Sequence, residues 1–528
     1  MQKKGKMKRI VSSLIIALLF LGLFAFAFTL QTARAQSGTI YINANGSITP
    51  SDANITTSDN ITYTFNGSNY LPIVVNRSNI IINGMGHTLQ ASASYDGFSL
   101  SSVSNVTIEN TTITNSGTGI SLYYSNNNTL SGNNVTANTD GIDLQFSSDN
   151  TLSGDNVTTN SYGIDLYNSS NNVFSRNNVT ANIWDGINLI YSCNNNTLSD
   201  NTVNGNSGGD GIYLYASNKN ALSGNNVTAN GYGIIFDTNC GNNTLSGNNV
   251  TANVGDGFDL LYSSDNIFSR NNVTRNGDIG IGLYYPSSRN NTLSGNTITG
   301  NGYGILLSSS SGNRIFHNDF LNNTQQAFVY NSTNTWDNGY PSGGNYWSDY
   351  RTANPTAVEN DSSAIWNTPY VIDKNNTDYY PLMGRFHTFS VGTWNGVAYS
   401  VDAVSNSTLS NFTFNATAKT LTFNATGATS PSGFCRITIP LSFMNCSNTD
   451  DWTVKVNGKL NGARNIILSE NCTYIYFTYS PGTEMVQITS TSAVPEFQPL
   501  MLLPLFTIIT LLEALIIKRK RSATPSQA

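Results

Sequence analysis

Between Gly97 and Asn331 the sequence repeats about every 22 to 25 residues. Each repeat has apolar residues at three fixed positions, which we call the first, second and third stations. The first station forms the column Phe98, Ile120, Ile142, Ile164, Ile187, Ile212, Ile234, Phe258, Ile281, Ile305 and Phe328. The second forms the column Leu130, Leu152, Phe174, Leu198, Leu222, Leu245, Phe268, Leu293 and Ile315. The third forms the column Val135, Val157, Val179, Val203, Val227, Val250, Val273, Ile298 and Phe320.

Around each station apolar and polar residues alternate, as in Ile142-Asp143-Leu144, and this is the period of a strand rather than of a helix. Strands this short cannot bury a face alone, but stacked repeats bury a continuous core. The pattern therefore predicts an all-β chain with a parallel β-helix of about eleven coils. At ~4.8 Å per coil the rod would be roughly 50 Å long.

Asparagine occupies two further columns, in the turns between the stations. Asparagine tolerates left-handed backbone, and its amide can bond the same residue in the next coil, so both columns are predicted to be structural ladders. The first ladder is Asn128, Asn150, Asn172, Asn196, Asn220, Asn243, Asn266, Asn291 and Asn313. The second is Asn138, Asn160, Asn182, Asn206, Asn230, Asn253, Asn276, Asn301 and Asn323.

Two of the five cysteines fall in a column of small residues. That column is Ser125, Ser147, Ser169, Cys193, Ser217, Cys240, Ser263, Ser288 and Ser310. Cys193 and Cys240 would lie two coils apart, ~9.6 Å, which is beyond disulfide reach. Both are predicted to be free thiols inside the rod.

The composition changes on both sides of the repeats, and the breaks predict seven segments. They are a signal peptide (1–35), an N-terminal cap with the first coils (36–96), the repeats (97–331), a cap over the last coil (332–384), a β-sandwich (385–491), a transmembrane anchor (497–517) and a basic cytoplasmic tail (518–528). The sandwich prediction rests on alternating stretches such as Tyr474-Ile-Tyr-Phe-Thr478 and on the hairpin signal Asn457-Gly458.

The two ends of the chain predict export and membrane attachment. Residues 2–9 carry five Lys or Arg, an apolar run follows, and Ala33-Arg-Ala35 has the small residues of a cleavage site. An uncleaved anchor is the alternative, because the apolar run is long. Phe497–Ile517 is long enough to span a bilayer, and Lys518-Arg-Lys-Arg521 would keep the tail cytoplasmic, leaving the ectodomain outside the cell.

Three motifs near the end of the repeats give the chain a family resemblance. They are Asn345-Tyr-Trp-Ser-Asp-Tyr350, Thr368-Pro-Tyr-Val-Ile-Asp373 and Tyr380-Pro-Leu-Met383. With the repeats, they resemble the NosD-type proteins of the carbohydrate-binding and sugar-hydrolase β-helix group, over about residues 60–383. The resemblance implies a right-handed β-helix and, from the type member, copper delivery to nitrous oxide reductase. The ending from Pro495-Glu-Phe497 onwards is similar to the PEF-type sorting signals of archaeal surface proteins, which implies that the anchor is cut and replaced.

Net charge, cysteine content and histidine content limit which ligands and cross-links we expect for the chain. The net charge is −6 and only 11% of residues are charged, which argues against nucleic acid. Outside the cell one disulfide is expected among Cys435, Cys446 and Cys472, with the pair left open. Copper would need soft or imidazole ligands, but His87, His317 and His387 are scattered, so neither a metal nor another cofactor is expected.

The strands of the first station carry the candidate chemistry on their outward positions. Flat aromatic faces beside carboxylates suit sugar rings, so this face is predicted to bind a polysaccharide or surface glycan. The candidate residues are Tyr123, Asp143, Asp165, Tyr167, Tyr213, Tyr215, Asp259 and Tyr284. The same face fits a purely structural surface role, because cross-strand aromatic pairs also stabilise sheets, so the sequence predicts a role in surface structure or in carbohydrate adhesion. Hydrolase or lyase activity is the alternative, because Asp143 and Asp165 would lie ~5 Å apart, the spacing of a retaining glycosidase.

Six asparagines stand in the sequence Asn-Val-Thr, which is a glycosylation acceptor in exported proteins. The valine would point inward, so the asparagine and threonine would point outward and be accessible. Ordinary polar strand positions are the alternative interpretation. The six acceptors are Asn134, Asn156, Asn178, Asn226, Asn249 and Asn272.

Overall fold

Three parallel sheets run the length of the repeats in a computed structural model of the protein, which describes residues 38–427 and 432–494. Sheet A contains the first station and has fourteen strands, of which the first pair is antiparallel. In spatial order its strands are Ile48–Thr49, Ile40–Ile42, Ile73–Val75, Phe98–Ser101, Thr118–Tyr123, Asp140–Gln145, Tyr162–Tyr167, Ile187–Ile190, Asp210–Tyr215, Tyr232–Asp237, Phe258–Leu261, Ile279–Tyr284, Tyr303–Ser308 and Gln325–Tyr330.

Sheets B and C contain the second and third stations, and most of their strands are only three residues long. The thirteen strands of sheet B are Ile55–Thr56, Thr62–Phe65, Ile80–Asn83, Val106–Glu109, Thr129–Ser131, Thr151–Ser153, Val173–Ser175, Thr197–Ser199, Ala221–Ser223, Thr244–Ser246, Ile267–Ser269, Thr292–Ser294 and Arg314–Phe316. The twelve of sheet C are Thr88–Gln90, Thr112–Thr114, Asn134–Thr136, Asn156–Thr158, Asn178–Thr180, Thr202–Asn204, Asn226–Thr228, Asn249–Thr251, Asn272–Thr274, Thr297–Thr299, Asp319–Leu321 and Tyr346–Trp347.

The three apolar columns form one continuous buried core, as predicted, with a single exception. In the last coil Ala327, not Phe328, pairs with Ile305 and points inward. Phe328 is 39% exposed, so its place in the predicted column was wrong. The count of eleven coils was also too low, because thirteen successive parallel strands of sheet A mark about twelve turns. The additional coils lie before Gly97.

A column of glycines allows the coils to stack at the start of each sheet A strand. A Cβ on Gly141 would lie 2.3 Å from the backbone oxygen of Gly163 in the next coil and 2.5 Å from a methyl of Val157. No side chain fits in that space. The glycine that precedes the first station is therefore required by packing between coils and not by the turn alone.

Both predicted asparagine ladders are present, and a third ladder joins them in the turn between sheets B and C. In the third, the Asn201 side chain accepts bonds from the backbone N–H and the amide of Asn177, at 3.0 Å each. The Asn201 amide in turn donates to the Phe174 carbonyl and to Asn225. The third ladder consists of Asn133, Asp155, Asn177, Asn201, Asn225, Asn248, Asn271, Asn296 and Asn318.

Asp155 is the one residue of the third ladder that is not an asparagine, and it interrupts the hydrogen-bond pattern of the ladder. Its Oδ1 accepts two bonds from Asn133, but its Oδ2 takes the place of an amide and has no partner. Every other ladder position donates from that place to a carbonyl of the preceding coil, such as Leu152 for Asn177. Burial raises the pKa of Asp155 to about 7. A protonated Oδ2 can restore the missing donor.

The five cysteines of the chain are all free thiols. Cys193 and Cys240 are buried in the serine column with Ser217 between them, as predicted. The disulfide expected among Cys435, Cys446 and Cys472 is not formed, which corrects that prediction. Cys435 and Cys472 lie on the paired strands Gly433–Pro440 and Cys472–Tyr479, but Cys435 is opposite Phe477 and Cys472 is opposite Pro440.

Short hairpins and stacked aromatic rings cover the two ends of the rod. The antiparallel pairs of sheets A and B cover the first strands of those two sheets. At the other end Trp347 stacks between Phe320 and Tyr370, with ring centroids 4.5 and 4.3 Å apart. This region also holds helix α1, Tyr350–Ala353, and the hairpin Tyr370–Asp373 with Asn376–Asp378.

The C-terminal unit consists of two five-stranded antiparallel sheets around a shared hydrophobic core. One sheet has strands Arg385–Trp394, Val397–Ser405, Gly433–Pro440, Cys472–Tyr479 and Arg464–Leu468. The other has strands Thr408–Asn415, Thr420–Thr426, Thr483–Thr489, Thr453–Val456 and Lys459–Leu460. The pair Met444–Asn445 and Ser492–Ala493 and the 3₁₀ turn Thr449–Asp451 complete it.

The predicted signal peptide (1–35), transmembrane anchor (497–517) and basic tail (518–528) lie outside the described residues. Within the two described ranges, no helix is both long and apolar enough to cross a membrane.

Candidate functional site

All eight predicted ligand-binding residues lie on the outward face of sheet A, in two adjacent rows. The first row includes Asp143, Asp165, Tyr213 and Asp259, and the second includes Tyr123, Tyr167, Tyr215 and Tyr284. In-register pairing of parallel strands places each row along the rod axis at ~4.8 Å per coil. The predicted register of this face is therefore confirmed.

Asp143 and Asp165 are direct neighbours in the first row and each accepts a side-chain amide bond. The Gln145 amide donates to Asp143 at 2.8 Å, and the Asn188 amide donates to Asp165 at 2.7 Å. Burial raises the pKa of Asp143 to about 6 and that of Asp165 to about 7. The Oδ1 atom of Asn188, a residue only 3% exposed, has no partner.

Further acids, which the sequence analysis did not single out, line the edge where each sheet A strand begins. Burial raises the pKa of Asp210 to about 7, and it raises the pKa of Asp140 with a smaller contribution from Asp96. The signal was present as Asp-Gly immediately before the first station, at Asp96, Asp140, Asp185, Asp210 and Asp256. We use the name acidic row for Asp140, Asp143, Asp165, Asp210, Asp256 and Asp259.

Asp256 and Asp259 are neighbouring carboxyls within the acidic row. Asp259 is 8% exposed and its Oδ1 has no partner, while Asp256 accepts the backbone N–H of Ile279 at 2.9 Å. Burial and the neighbouring Asp256 charge raise the pKa of Asp259. In the next coil, a Cβ on Gly282 would lie 2.5 Å from both Asp259 Oδ1 and the Tyr284 ring. Gly282 therefore makes the space that those two side chains fill.

An aromatic strip borders the acidic row where the sheet A strands end. It consists of Tyr123, Tyr124, Phe146, Tyr167, Tyr191 and Tyr215. Tyr124 stacks on Phe146 at 4.8 Å, and ring-edge contacts of 5.0 to 5.5 Å continue to Tyr215. Three of these rings, Tyr124, Phe146 and Tyr191, were missed by the sequence analysis because they lie one residue beyond the strand period.

Tyr213 differs from the other predicted tyrosines. Its hydroxyl donates to Asp237 at 3.1 Å, and burial raises its pKa. Tyr213 therefore links its own strand to the next strand of sheet A, and its side chain still lies on the outward face. Tyr123 and Tyr167 are exposed.

No lysine or arginine occurs in the described strands of sheet A. The face is therefore negatively charged. How much charge it carries at a given pH depends on the raised pKa values of its carboxyl groups. Such carboxyls accept hydrogen bonds when ionised and donate them when protonated, and they repel polyanions. Clusters of shifted pKa values are enriched at functional sites.

Copper ligands are not assembled in the described part of the chain. His87 belongs to an early coil, and His317 is half-buried, stacked on Phe386 at 4.2 Å, with its Nε2 next to Ser342. Burial lowers the pKa of His387, on the first strand of the C-terminal unit, to about 4. The described residues contain no group of three His, Cys, Asp or Glu that could hold a metal ion, so they do not fit a copper centre.

Comparison with known families agrees with the parallel β-helix fold. A model of the NosD family, described as a periplasmic copper-binding protein, matches residues 184–352, and a right-handed β-helix model matches residues 65–209. The chain is a right-handed parallel β-helix protein. These matches confirm the NosD-type β-helix resemblance, whereas the PEF-type ending lies outside the matched and the described residues and stays a prediction. Curated protein sequences contain no match to the β-helix protein.

Solved structures similar to the β-helix protein include two epimerases and a tailspike protein. The periplasmic alginate epimerase AlgG is 16% identical with a TM-score of 0.41, over 53% of this chain and 80% of that one. The Dettilon tailspike protein is 14% identical with a TM-score of 0.34, over 79% and 87%. The AlgE4 A-module of Azotobacter vinelandii is 16% identical with a TM-score of 0.36, over 56% and 89%. At these values the likeness carries no information about activity.

Proposed function

We propose that the β-helix protein binds a neutral or amine-bearing polysaccharide along sheet A, as an adhesion module anchored at the cell surface. The observation that carries this proposal is the aromatic strip running beside the acidic row. A polysaccharide lying along the rod would stack its sugar rings on the strip and bond its hydroxyl groups to the carboxyls. The absence of lysine and arginine from the described sheet A strands disfavours a polyanion there.

Surface anchoring is supported by the sequence of the two ends. A signal peptide at 1–35 and an apolar segment at 497–517 with a basic tail would leave the β-helix outside the cell. The C-terminal unit directly precedes the apolar segment, so it would lie next to the membrane. Protease protection of the tail, but not of the β-helix, in intact cells would test this topology.

The binding proposal is tested with the full-length protein on immobilised polysaccharides, including chitosan and a neutral β-glucan. Tyr191 is 48% exposed and lies between Tyr167 and Tyr215 in the strip. Its replacement in Tyr191→Ala should weaken retention about five- to tenfold, or roughly 1–1.4 kcal/mol. Tyr70→Ala is the matched control, because Tyr70 is 60% exposed and lies in an early turn. Unchanged retention in Tyr191→Ala would contradict the proposal, as would polyuronate retention that depends on Tyr191.

A second function, hydrolysis of the bound polysaccharide, is favoured by one observation. The acidic row contains carboxyl groups with raised pKa values beside others in register, such as Asp165 beside Asp143 and Asp259 near Asp256. A protonated and an ionised carboxyl ~5 Å apart are what a retaining glycosidase requires. Release of new reducing ends in the same assay, abolished in Asp165→Asn or Asp259→Asn, would establish an enzyme.

A further inference from the structure

A cleft of about 470 Å³ separates the β-helix from the C-terminal unit, on the side of the rod away from sheet A. One wall comes from three successive turns between sheets B and C, which carry Ser269-Arg270, Ser294-Gly295 and Phe316-His317. This volume is in the range of small-ligand sites. The cleft shares no residue with the acidic row or the aromatic strip.

The opposite wall is one cross-strand row of the C-terminal unit. Four adjacent strands contribute Thr388, Asp402, Thr438 and Tyr474, which pair in register across the sheet. Thr388 donates to Asp402 Oδ1 at 2.7 Å, and the second oxygen of Asp402 has no hydrogen bond among the described residues. Hydroxyl groups, a carboxyl and aromatic rings thus face one another across the cleft.

Arg270 faces the cleft without an acidic partner. The described residues contain a single ion pair, Arg385 with Asp319. Arg270 is exposed and close enough to Asp402 to lower the pKa of that carboxyl, which burial raises, but the two are not in contact. A guanidinium group in this position is free to pair with a carboxylate of a ligand.

A second positive charge lies directly behind the cleft. Arg436 is 1% exposed, donates to the carbonyls of Pro341, Ser342 and Ser363 at 2.7 to 3.0 Å, and has no partner at Nε. Burial lowers its pKa to about 10, so it stays charged at neutral pH. Arg436 makes no ion pair among the described residues, although Asp402 is close enough to raise its pKa. A buried charge that is only partly compensated is costly, and an anion in the adjacent cleft would offset part of that cost.

His317 on the cleft wall does not add to this charge. Burial, with a smaller contribution from the nearby Arg436, lowers its pKa to about 3, so the ring is neutral. It stacks on Phe386 at 4.2 Å, and Phe316 adjoins it. Against two guanidinium groups the cleft has only the carboxyl of Asp402. The cleft is therefore a positively charged, aromatic and hydroxyl-lined site on a chain whose net charge is −6.

We propose that this cleft binds an anionic saccharide unit, with the sugar carboxylate on Arg270 and the ring between the aromatic and hydroxyl-bearing walls. Asp402 and Thr438 would bond the sugar hydroxyls. The cleft differs from sheet A in the sign of its charge and in its shape. Sheet A is an open surface along which a polysaccharide can lie, whereas the cleft holds one sugar unit. It does not depend on the function proposed for sheet A.

The test is titration of the full-length protein with D-glucuronate, D-glucose and inorganic sulfate as separate probes, at fixed ionic strength. Glucuronate should bind, glucose should bind at least tenfold more weakly, and Arg270→Gln should weaken glucuronate at least tenfold. Arg176→Gln is the matched control, because Arg176 occupies the same turn position four coils earlier, with the same backbone φ of 55°, and is exposed. Tyr191→Ala, on sheet A, should leave glucuronate binding unchanged.

Ser400→Trp provides a second variant that blocks the cleft without altering a charge, since Ser400 is exposed on its rim. It should abolish glucuronate binding. Equal binding of glucose and glucuronate would overturn the role of Arg270. Sulfate binding as tight as glucuronate would overturn the saccharide assignment. Equal losses in Arg176→Gln and Arg270→Gln would overturn the location of the site.

Discussion

Sheets B and C repeat nearly the same outward residues in every coil, whereas sheet A, built on the same backbone, does not. Sheet C presents Asn-Val-Thr in six of its strands, and sheet B presents Thr-Leu-Ser in five. The first outward row of sheet A reads Ser121, Asp143, Asp165, Asn188, Tyr213, Ile235, Asp259, Gly282 and Leu306.

The difference teaches where to look for function in a repeat protein. Positions that stack well on copies of themselves are set by the fold. The ladders, and the sheet C asparagines in six of the coils, are such positions. Positions that vary between coils are not required for stacking. Sheet A retains carboxyls that are costly to bury, such as Asp165 and Asp259, and this cost is typical of residues kept for chemistry.

The largest expected effect is on the ladders. Asn225→Leu keeps the volume but leaves the Leu198 carbonyl and the Asn201 N–H without partners, so the free energy of unfolding should fall by about 3–5 kcal/mol. Urea denaturation followed by tryptophan fluorescence measures it. The neighbouring outward change, Asn226→Ala, should cost less than about 1 kcal/mol. Similar losses in both variants would contradict the distinction between ladder and surface.

Asp155→Asn should stabilise the protein, because it completes the third ladder. The folded-state pKa of Asp155, about 7, lies above the ordinary value of 3.8. Below pH 4 the carboxyl is protonated in the folded and unfolded states, so it does not lower the free energy of unfolding. Above pH 7 it is ionised in both, and the loss of stability is complete. The gain should thus be roughly 2–4 kcal/mol at pH 8 and near zero at pH 4. Denaturation midpoints across that pH range check it. A gain independent of pH would contradict the unpaired Oδ2.

The sequence was sufficient for the repeat because strand period and column identity are local properties. It was not sufficient for the third ladder, because adjacent asparagines such as Asn133 and Asn134 differ only in which one the turn directs inward. The shift from Phe328 to Ala327 had a similar cause: Gln326 replaces the glycine that fixes the register elsewhere.

The candidate site was predicted in part for the same reason. Rows along sheet A follow from the register, so Asp143 and Asp165 could be placed side by side. The degree of burial that shifts their pKa values depends on loops of unequal length and could not be read from the chain. The cleft between the two units joins Arg270 to Asp402, more than a hundred residues apart, and no periodic pattern connects them.

Asp165→Asn extends the comparison to sheet A. Because burial raises the Asp165 pKa to about 7, the change should stabilise the protein at pH 8, by about 1–2 kcal/mol since part of the side chain meets solvent. Unlike Asp155→Asn, it should also weaken polysaccharide retention, because the carboxyl faces the ligand. Retention assays on both variants separate the two cases. Equal retention by both would remove Asp165 from the site.

The smallest effect concerns the six Asn-Val-Thr acceptors on sheet C. Their amides already donate along the rod, from Asn156 to Asn134 and from Asn178 to Asn156 at 2.7 Å each. Asn249 and Asn272 repeat this arrangement with Asn226 and Asn249. Residues ~4.8 Å apart in register leave no room for glycans on consecutive coils.

Each run of three acceptors should therefore carry at most two glycans. If the chain is glycosylated in its native host, intact-mass analysis should find no molecule with more than four of these six sites modified. Asn156→Thr, which reproduces the residue at Thr202 and Thr297, should change stability by less than about 0.5 kcal/mol and leave the outer sites of that run available. Full occupancy of Asn134, Asn156 and Asn178 in one molecule would contradict the stacked geometry of sheet C, and with it the view that this face is set by the fold alone.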